Sequence, residues 1–255
     1  MIILLSPAKI QNFNKQVVTS NHSIPQFLDE ASELVKLMRQ LSQQEITRLL
    51  EINVQLTRLN LDRYIRWQLP FTHENAKQAV FVFDGEVYRG LDAITLTRED
   101  IDYMQRHLRL FSGLYGVLRP LDLMQPYRLD VSSKLNNHAG NDLYPFWKKK
   151  VTDSILTDLK ASGEPQLLLN LASSEYIKVI DLKSSKMRMI SVEFFEYQHD
   201  KLKQIVVYTK KARGMMTRYV IQNRIDNEED LKGFNEGGYW FNEQLSSKDT
   251  LVFVR

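Results

Sequence analysis

Residues 166–176 read QLLLNLASSEY, a nearly continuous apolar run from Gln166 to Leu171 followed by a cluster of polar residues. A short apolar run without polar alternation suits a strand buried on both faces, as in the middle of a parallel sheet. Ile2–Leu5 has the same form, ending at Ser6-Pro7 with Lys9 just beyond. Met187–Phe195, Gln204–Tyr208 and Thr250–Val254 read as further strands, and Val80–Phe83 as a short one closed by the turn Asp84-Gly85. Helical spacing lies between them. Phe27, Leu28, Ala31, Leu34, Val35 and Met38 recur on one face, with Ser23 as the cap and Pro25 in the first turn. Ser42-Gln-Gln-Glu45 matches a capping box and starts a second helix, and a third runs through Leu56, Leu59 and Tyr64 toward Trp67. Thr97 caps a helix over 98–110, Phe146–Leu159 is helical, and so is Arg213–Arg224. No linker, repeat or low-complexity stretch interrupts this mixture. The expectation is a single mixed α/β domain over 1–255, a mixed sheet flanked by helices.

Charge is not spread evenly over this chain. Residues 201–224 hold seven of its 34 Lys and Arg and none of its 31 acids, which leaves the remainder net negative. Segregated positive charge suits a polyanion, most commonly nucleic acid. On a helical wheel Met215, Met216, Tyr219 and Val220 share one side and Lys211 and Arg218 another. Arg213 and Arg224 flank the cationic side, and Ile221 falls out of place among the polar residues. A solvated surface helix and a phosphate-contacting helix both fit that pattern. Lys210, Lys211, Arg213 and Arg218 are the candidate phosphate contacts, and Gly214 would allow a close approach.

A second candidate anion site is SGLYGVLRP, residues 112–120. Gly113 and Gly116 bracket Leu114 and Tyr115, and glycines there can turn successive N–H groups toward one anion. Helix-hairpin-helix elements hold a DNA phosphate in such a turn, although they usually have one residue between the glycines. A tight β-turn packed by Leu114 and Leu118 is the competing reading. Leu41-Ser42 is another joint at which two helices could form a hairpin. Arg119, Tyr127 and Arg128 add base and aromatic character beyond the glycines. Polar residues also follow the apolar strands: Lys9 after the first, Asp84, Glu86 and Tyr88 after another, and Asn170, Ser173, Ser174, Glu175 and Tyr176 after a third. Interior strands of α/β proteins carry active sites at their C-terminal ends. Asn170, Glu175 and Tyr176 are therefore candidates for chemistry on a base or sugar, and simple helix capping by Ser173 or Ser174 is the alternative.

Several classes are excluded or disfavoured. The chain has no cysteine, which removes disulfides, thiolate-held clusters and thiol catalysis. No run approaches a membrane span, and MIILLSPAK does not read as a signal peptide, so a cytoplasmic location is expected. The five His, at 22, 73, 107, 138 and 199, have no ligand spacing, and no metal or cofactor is expected. There is no Walker A loop, GxGxxG or nucleophile elbow. The loop GFNEGGYWFNE, 233–243, could stack a base or simply pack.

The blocks SPAK (6–9), FDGEVYRGL (83–91), LFSGLYGVLRPLDLMQPYRLD (110–130), LYPFW (143–147), NLASSEY (170–176), KKARGMMTRYVIQNR (210–224) and GFNEGGYWF (233–241) resemble those of the bacterial YaaA family, almost end to end. The resemblance implies a cytoplasmic protein of the peroxide-stress response that helps limit free iron. It also implies an α/β fold with a positively charged cleft, a helix-hairpin-helix element, DNA binding, and a link to DNA protection and recombination repair. It carries over no catalytic residues. The resulting expectation is a sequence-nonspecific partner of double-stranded or structured DNA, using Lys9, Gly113, Tyr115, Gly116, Arg119, Arg128 and the bases of 210–218. The alternatives are an enzyme acting on a nucleobase or nucleotide through Asn170–Tyr176, and an iron-handling or partner-binding protein.

Overall fold

The computed structural model of the chain describes residues 1–163, 166–199 and 201–255. Its central feature is a mixed sheet of eight strands: β1 (Ile2–Leu5), β2 (Leu108–Ser112), β3 (Gly116–Leu118), β4 (Leu167–Asn170), β5 (Arg188–Gln198), β6 (Lys201–Lys203), β7 (Trp240–Phe241) and β8 (Thr250–Val254). The order across the sheet is β7-β8-β5-β4-β1-β2-β3, and β6 folds back on β5. β2, β1, β4, β5 and β8 are parallel; β3, β6 and β7 are antiparallel additions. β1 lies between β2 and β4, with Ile3 registered against both Leu108 and Leu169. Its four residues are fully buried, as an all-apolar strand flanked on both sides requires. The mixed α/β class expected from the sequence is the one observed.

Helices pack around this sheet: α1 (Leu28–Gln40), α2 (Gln43–Leu50), α3 (Val54–Arg66), α4 (Glu86–Leu91), α5 (Arg98–His107), α6 (Leu143–Ala161) and α7 (Val206–Asn223), with shorter helical turns between. The capping box at Ser42 forms, Glu45 reaching back to the Ser42 N–H at 2.7 Å. Thr97 forms another with Asp100. Arg39 from α1 closes the end of α3 by donating to the carbonyls of Tyr64, Ile65 and Trp67 at 2.8, 3.2 and 2.6 Å.

Four local expectations are corrected. Val80–Phe83 is not a strand: Ala79–Val82 is a single buried helical turn, and only Phe83-Asp84 pairs, antiparallel to Ile10-Gln11. A short apolar run buried on all sides carries no periodicity to separate the two states. Gln204–Tyr208 is not a strand either, because β6 closes the hairpin and α7 begins at Val206. The helix starting at Arg98 ends at His107, where LRLFS leaves it to pair with β1. Ser23 does not cap α1. It bridges to the 121–123 segment and donates to Asp122 at 2.6 Å, while α1 starts after Phe27 without a side-chain cap.

α7 is the main correction to the charge argument. It packs against α4 through two glycines: a Cβ on Gly214 would overlap the Val87 carbonyl oxygen, and one on Gly90 would meet the Met215 nitrogen at 3.0 Å. Gly214 therefore admits another helix, not a ligand. Ile221, out of place on the wheel, is fully buried because α7 is covered on more than one side. Gly214→Ala should force the helices apart and cost about 1–3 kcal/mol, an overpacking penalty in a filled interior. Urea unfolding would show it as a lower midpoint with an unchanged slope.

Candidate functional site

The parallel strands bring their C-terminal ends to one edge of the sheet. Ser6, just after β1, accepts from the Ser173 N–H at 2.9 Å just after β4. The Tyr88 hydroxyl of α4 donates to the Ser6 carbonyl at 3.0 Å, and Gly85 lies against Ala8. These contacts fix the SPAK loop and hence the backbone of Lys9. Beyond β2, the 112–116 turn receives the backbone of Leu129-Asp130. A Cβ on Gly113 would overlap the Leu129 carbonyl oxygen. The incoming segment is held by buried phenols. Tyr64 donates to the Arg128 carbonyl at 2.5 Å, the Tyr115 hydroxyl accepts from the Gln125 N–H at 3.1 Å, and the Tyr127 hydroxyl lies 2.7 Å from Ser112 Oγ. Burial raises the pKa of all three phenols, keeping them neutral donors.

These loops and the end of α2 enclose a cleft of about 410 Å³, lined among others by Lys9, Arg48, Arg128, Lys134, Asp130 and Glu175. Glu51 adds a third carboxylate. Asp130 Oδ2 lies 3.3 Å from Lys9 Nζ and 3.9 Å from Arg128 Nε, and the Arg128 Nε is buried without a hydrogen-bond partner. Ser132 donates to Glu175 at 2.5 Å. Past Arg48, Leu49 and Lys134 the surface opens into a more apolar recess of about 470 Å³ that includes Leu37, Leu41 and Leu135.

The cleft has a helical hairpin at its rim. α2 and α3 are joined by Glu51, Ile52 and Asn53, with Glu51 left-handed at φ 50° and Asn53 capping α3 by accepting from the Leu56 N–H. Thr47 Oγ1 and Thr57 Oγ1, 2.9 Å apart, tie the two helices together. The family resemblance implied a helical hairpin, but the sequence offered the 112–120 turn and the Leu41-Ser42 joint for it; the hairpin observed here is one helix further on, with Glu51 in the left-handed position.

Other expected site residues lie elsewhere. The 112–116 turn joins β2 to β3, so it is a β-hairpin and not a helical one. Gly113, Tyr115 and Gly116 are buried, with the Trp147 ring over Gly116 where a Cβ would come within 2.6 Å. Arg119 belongs to a separate cavity of about 430 Å³ near the start of β2, together with Arg109, Asp122 and Asp158. Asn170 is spent on structure, donating to Ser191 at 3.1 Å and accepting from the Ala172 N–H at 3.0 Å. Tyr176 is buried beneath the cleft, its hydroxyl 3.5 Å from Asp130. In the basic segment Lys201, Lys203, Lys210 and Lys211 are exposed. Arg218 instead donates to the carbonyls of Leu91 and Asp92 at 3.1 and 2.9 Å, Arg224 pairs with Asp100 at 2.8 Å, and Arg213 has a buried, unpartnered Nε. None of the residues lining the cleft comes from α7. Among the described residues no group of three or more His, Asp and Glu is placed to hold a metal ion, and no helix is long and apolar enough to cross a membrane.

The separate cavity contains a strongly perturbed carboxylate. Burial raises Asp122 to about 6, against hydrogen bonds from Ser23 and the Arg119 N–H and the charges of Arg119 and Arg109. A folded-state value above the unfolded one of about 3.9 means that the native state binds the proton more tightly. Stability from this group is fully present below pH ~4 and is lost as pH rises through ~6, by about 2–3 kcal/mol in all. The difference in unfolding free energy between wild type and Asp122→Asn should therefore grow in favour of wild type as pH falls from 7.5 to 5. Arg218→Ala should lower stability by about 1–3 kcal/mol, because two helix-end carbonyls lose a charged donor. Chemical denaturation measures both.

A family model described as peroxide stress protein YaaA matches residues 1–245 of the 255.

Proposed function

Because the chain belongs to the peroxide stress protein YaaA family, we propose that it binds double-stranded or structured DNA without regard to sequence, as part of a response to peroxide that protects or helps repair DNA. The binding site is the cleft between the α2–α3 hairpin and the C-terminal edge of the sheet. The observation that carries this reading is the convergence of Lys9, Arg48, Arg128 and Lys134 on one concave surface. Arg128, its side chain 20% exposed, adds a guanidinium with which a phosphate oxygen can pair. Such contacts hold a backbone without reading bases. Exposed Lys210 and Lys211 give α7 a secondary electrostatic part, whereas Arg218 holds the carbonyls of Leu91 and Asp92. Any effect on free iron follows indirectly.

Binding should weaken steeply with salt, by about −0.9 in log–log slope for each phosphate neutralised. Replacing Lys9, Arg48, Arg128 and Lys134 together by Ala should flatten that slope by about 3–4 and weaken binding to all duplexes alike. Lys210→Ala with Lys211→Ala should flatten it by no more than about 2. An unchanged slope in a folded quadruple variant, read by fluorescence anisotropy across a salt series, would remove the cleft from the binding site.

The apolar recess beside the cleft favours a second reading, an enzyme acting on an extruded base. Glu175, pinned by Ser132 at the cleft wall, is then the acid or base. Base release from a panel of damaged duplexes, with Glu175→Gln as the control, tests it.

A further inference from the structure

The cleft places a primary amine against a carboxylate, and charge neutralisation alone does not require that pair. Lys9 Nζ is 3.3 Å from Asp130 Oδ2; the lysine side chain is 63% exposed and the aspartate 21%. The amine thus stands at the mouth with its carboxylate behind it. Both backbones are fixed, Lys9 by the Tyr88 and Ser6 contacts and Asp130 by its approach to Gly113. Arg128 and Lys134 flank them with positive charge. Unmodified DNA offers an amine no ready electrophile. An abasic site does, because its ring-opened sugar presents an aldehyde at C1′.

Resting on the DNA reading of this cleft, we propose that Lys9 is the nucleophile of an abasic-site lyase and Asp130 its proton-transfer partner. Asp130 takes one proton from the Lys9 ammonium, and Nζ forms a bond to C1′. Two of the three ammonium protons leave with the aldehyde oxygen as water, one of them by way of Asp130. The third stays on the nitrogen of the resulting iminium. Asp130, again a carboxylate, removes a proton from C2′. The electron pair moves into the iminium system and expels the 3′ phosphate oxygen, which breaks the C3′–O bond. Water then hydrolyses the iminium, restoring the Lys9 ammonium and releasing the unsaturated aldehyde on the cut strand. The water released when the iminium forms is matched by the water taken up when it is hydrolysed, and the sequence needs no oxidant, reductant or metal.

The test uses the full chain and a duplex with one abasic site made by uracil excision. Mobility shift reports binding, and borohydride in a parallel tube reduces the imine to a stable amine. The expected result is a covalent adduct mapped by peptide mass spectrometry to Lys9, with strand scission 3′ to the lesion when borohydride is left out. Lys9→Ala should lower adduct formation by at least ~100-fold, and Asp130→Asn by ~10-fold or more. Lys9 is largely exposed, and Asp130→Asn keeps the side chain's shape and its acceptor oxygen, so both variants should fold, and thermal melts check this. No adduct on DNA that the shift assay shows to be bound, or an adduct on another lysine such as Lys134, overturns the lyase and leaves the binding reading intact. Absence of binding to any duplex overturns both.

Discussion

The close approach of the Leu129-Asp130 backbone to Gly113 is the contact on which the cleft depends. Any side chain at position 113 would occupy the space of a carbonyl oxygen. Because that space is empty, the segment that follows β3 can return across the strand ends and deliver Arg128 and Asp130 there. Buried phenols, Tyr64 and Tyr115 from outside the segment and Tyr127 within it, then fix its path through hydrogen bonds. Each such bond adds only about 1 kcal/mol net, but leaving one unmade inside the protein costs about 1–3 kcal/mol. Their effect is therefore to exclude other paths as much as to strengthen this one.

Much of the framework was legible in the sequence. The apolar runs at Ile2–Leu5, Leu167–Asn170 and Thr250–Val254 are strands, and the capping boxes at Ser42 and Thr97 are formed. Elements whose pattern is set by tertiary neighbours were not. Val80–Val82 is apolar because it is enclosed, and its local pattern does not distinguish a helical turn from a strand. α3 buries Thr57, Asn60 and Tyr64 while Val54, Leu56 and Leu59 face solvent, which reverses the usual amphipathic rule. Its polar residues turn inward because each finds a partner there: Thr57 pairs with Thr47 of α2, Asn60 donates to the Leu56 carbonyl and Tyr64 to the Arg128 carbonyl. The place of the helical hairpin was missed for a similar reason, since a left-handed Glu51 leaves no glycine to mark the joint.

The candidate site shows the same division in its charges. A window of sequence finds positive charge where it is contiguous, and 201–224 is where that occurs. Three of its arginines are drawn into the structure, holding helix ends and an acidic partner or lying partly buried. The cations of the cleft come from three separate parts of the chain, at position 9, at 48, and at 128 and 134; Lys9 and Arg128 stood out in the sequence, whereas Arg48 and Lys134 did not. Only the return of the 125–134 segment beneath the α2–α3 hairpin makes them one surface.

The position of β1 has a consequence for how the protein is made. Its neighbours in the sheet are β2 and β4, so the four aliphatic residues Ile2–Leu5 leave the ribosome long before either partner has been synthesised. Through that interval they form a β-prone apolar segment with both hydrogen-bonding edges open, the state most exposed to mispairing and aggregation. A strand that ends fully buried in the core is thus, on the nascent chain, an unpaired apolar segment open to mispairing.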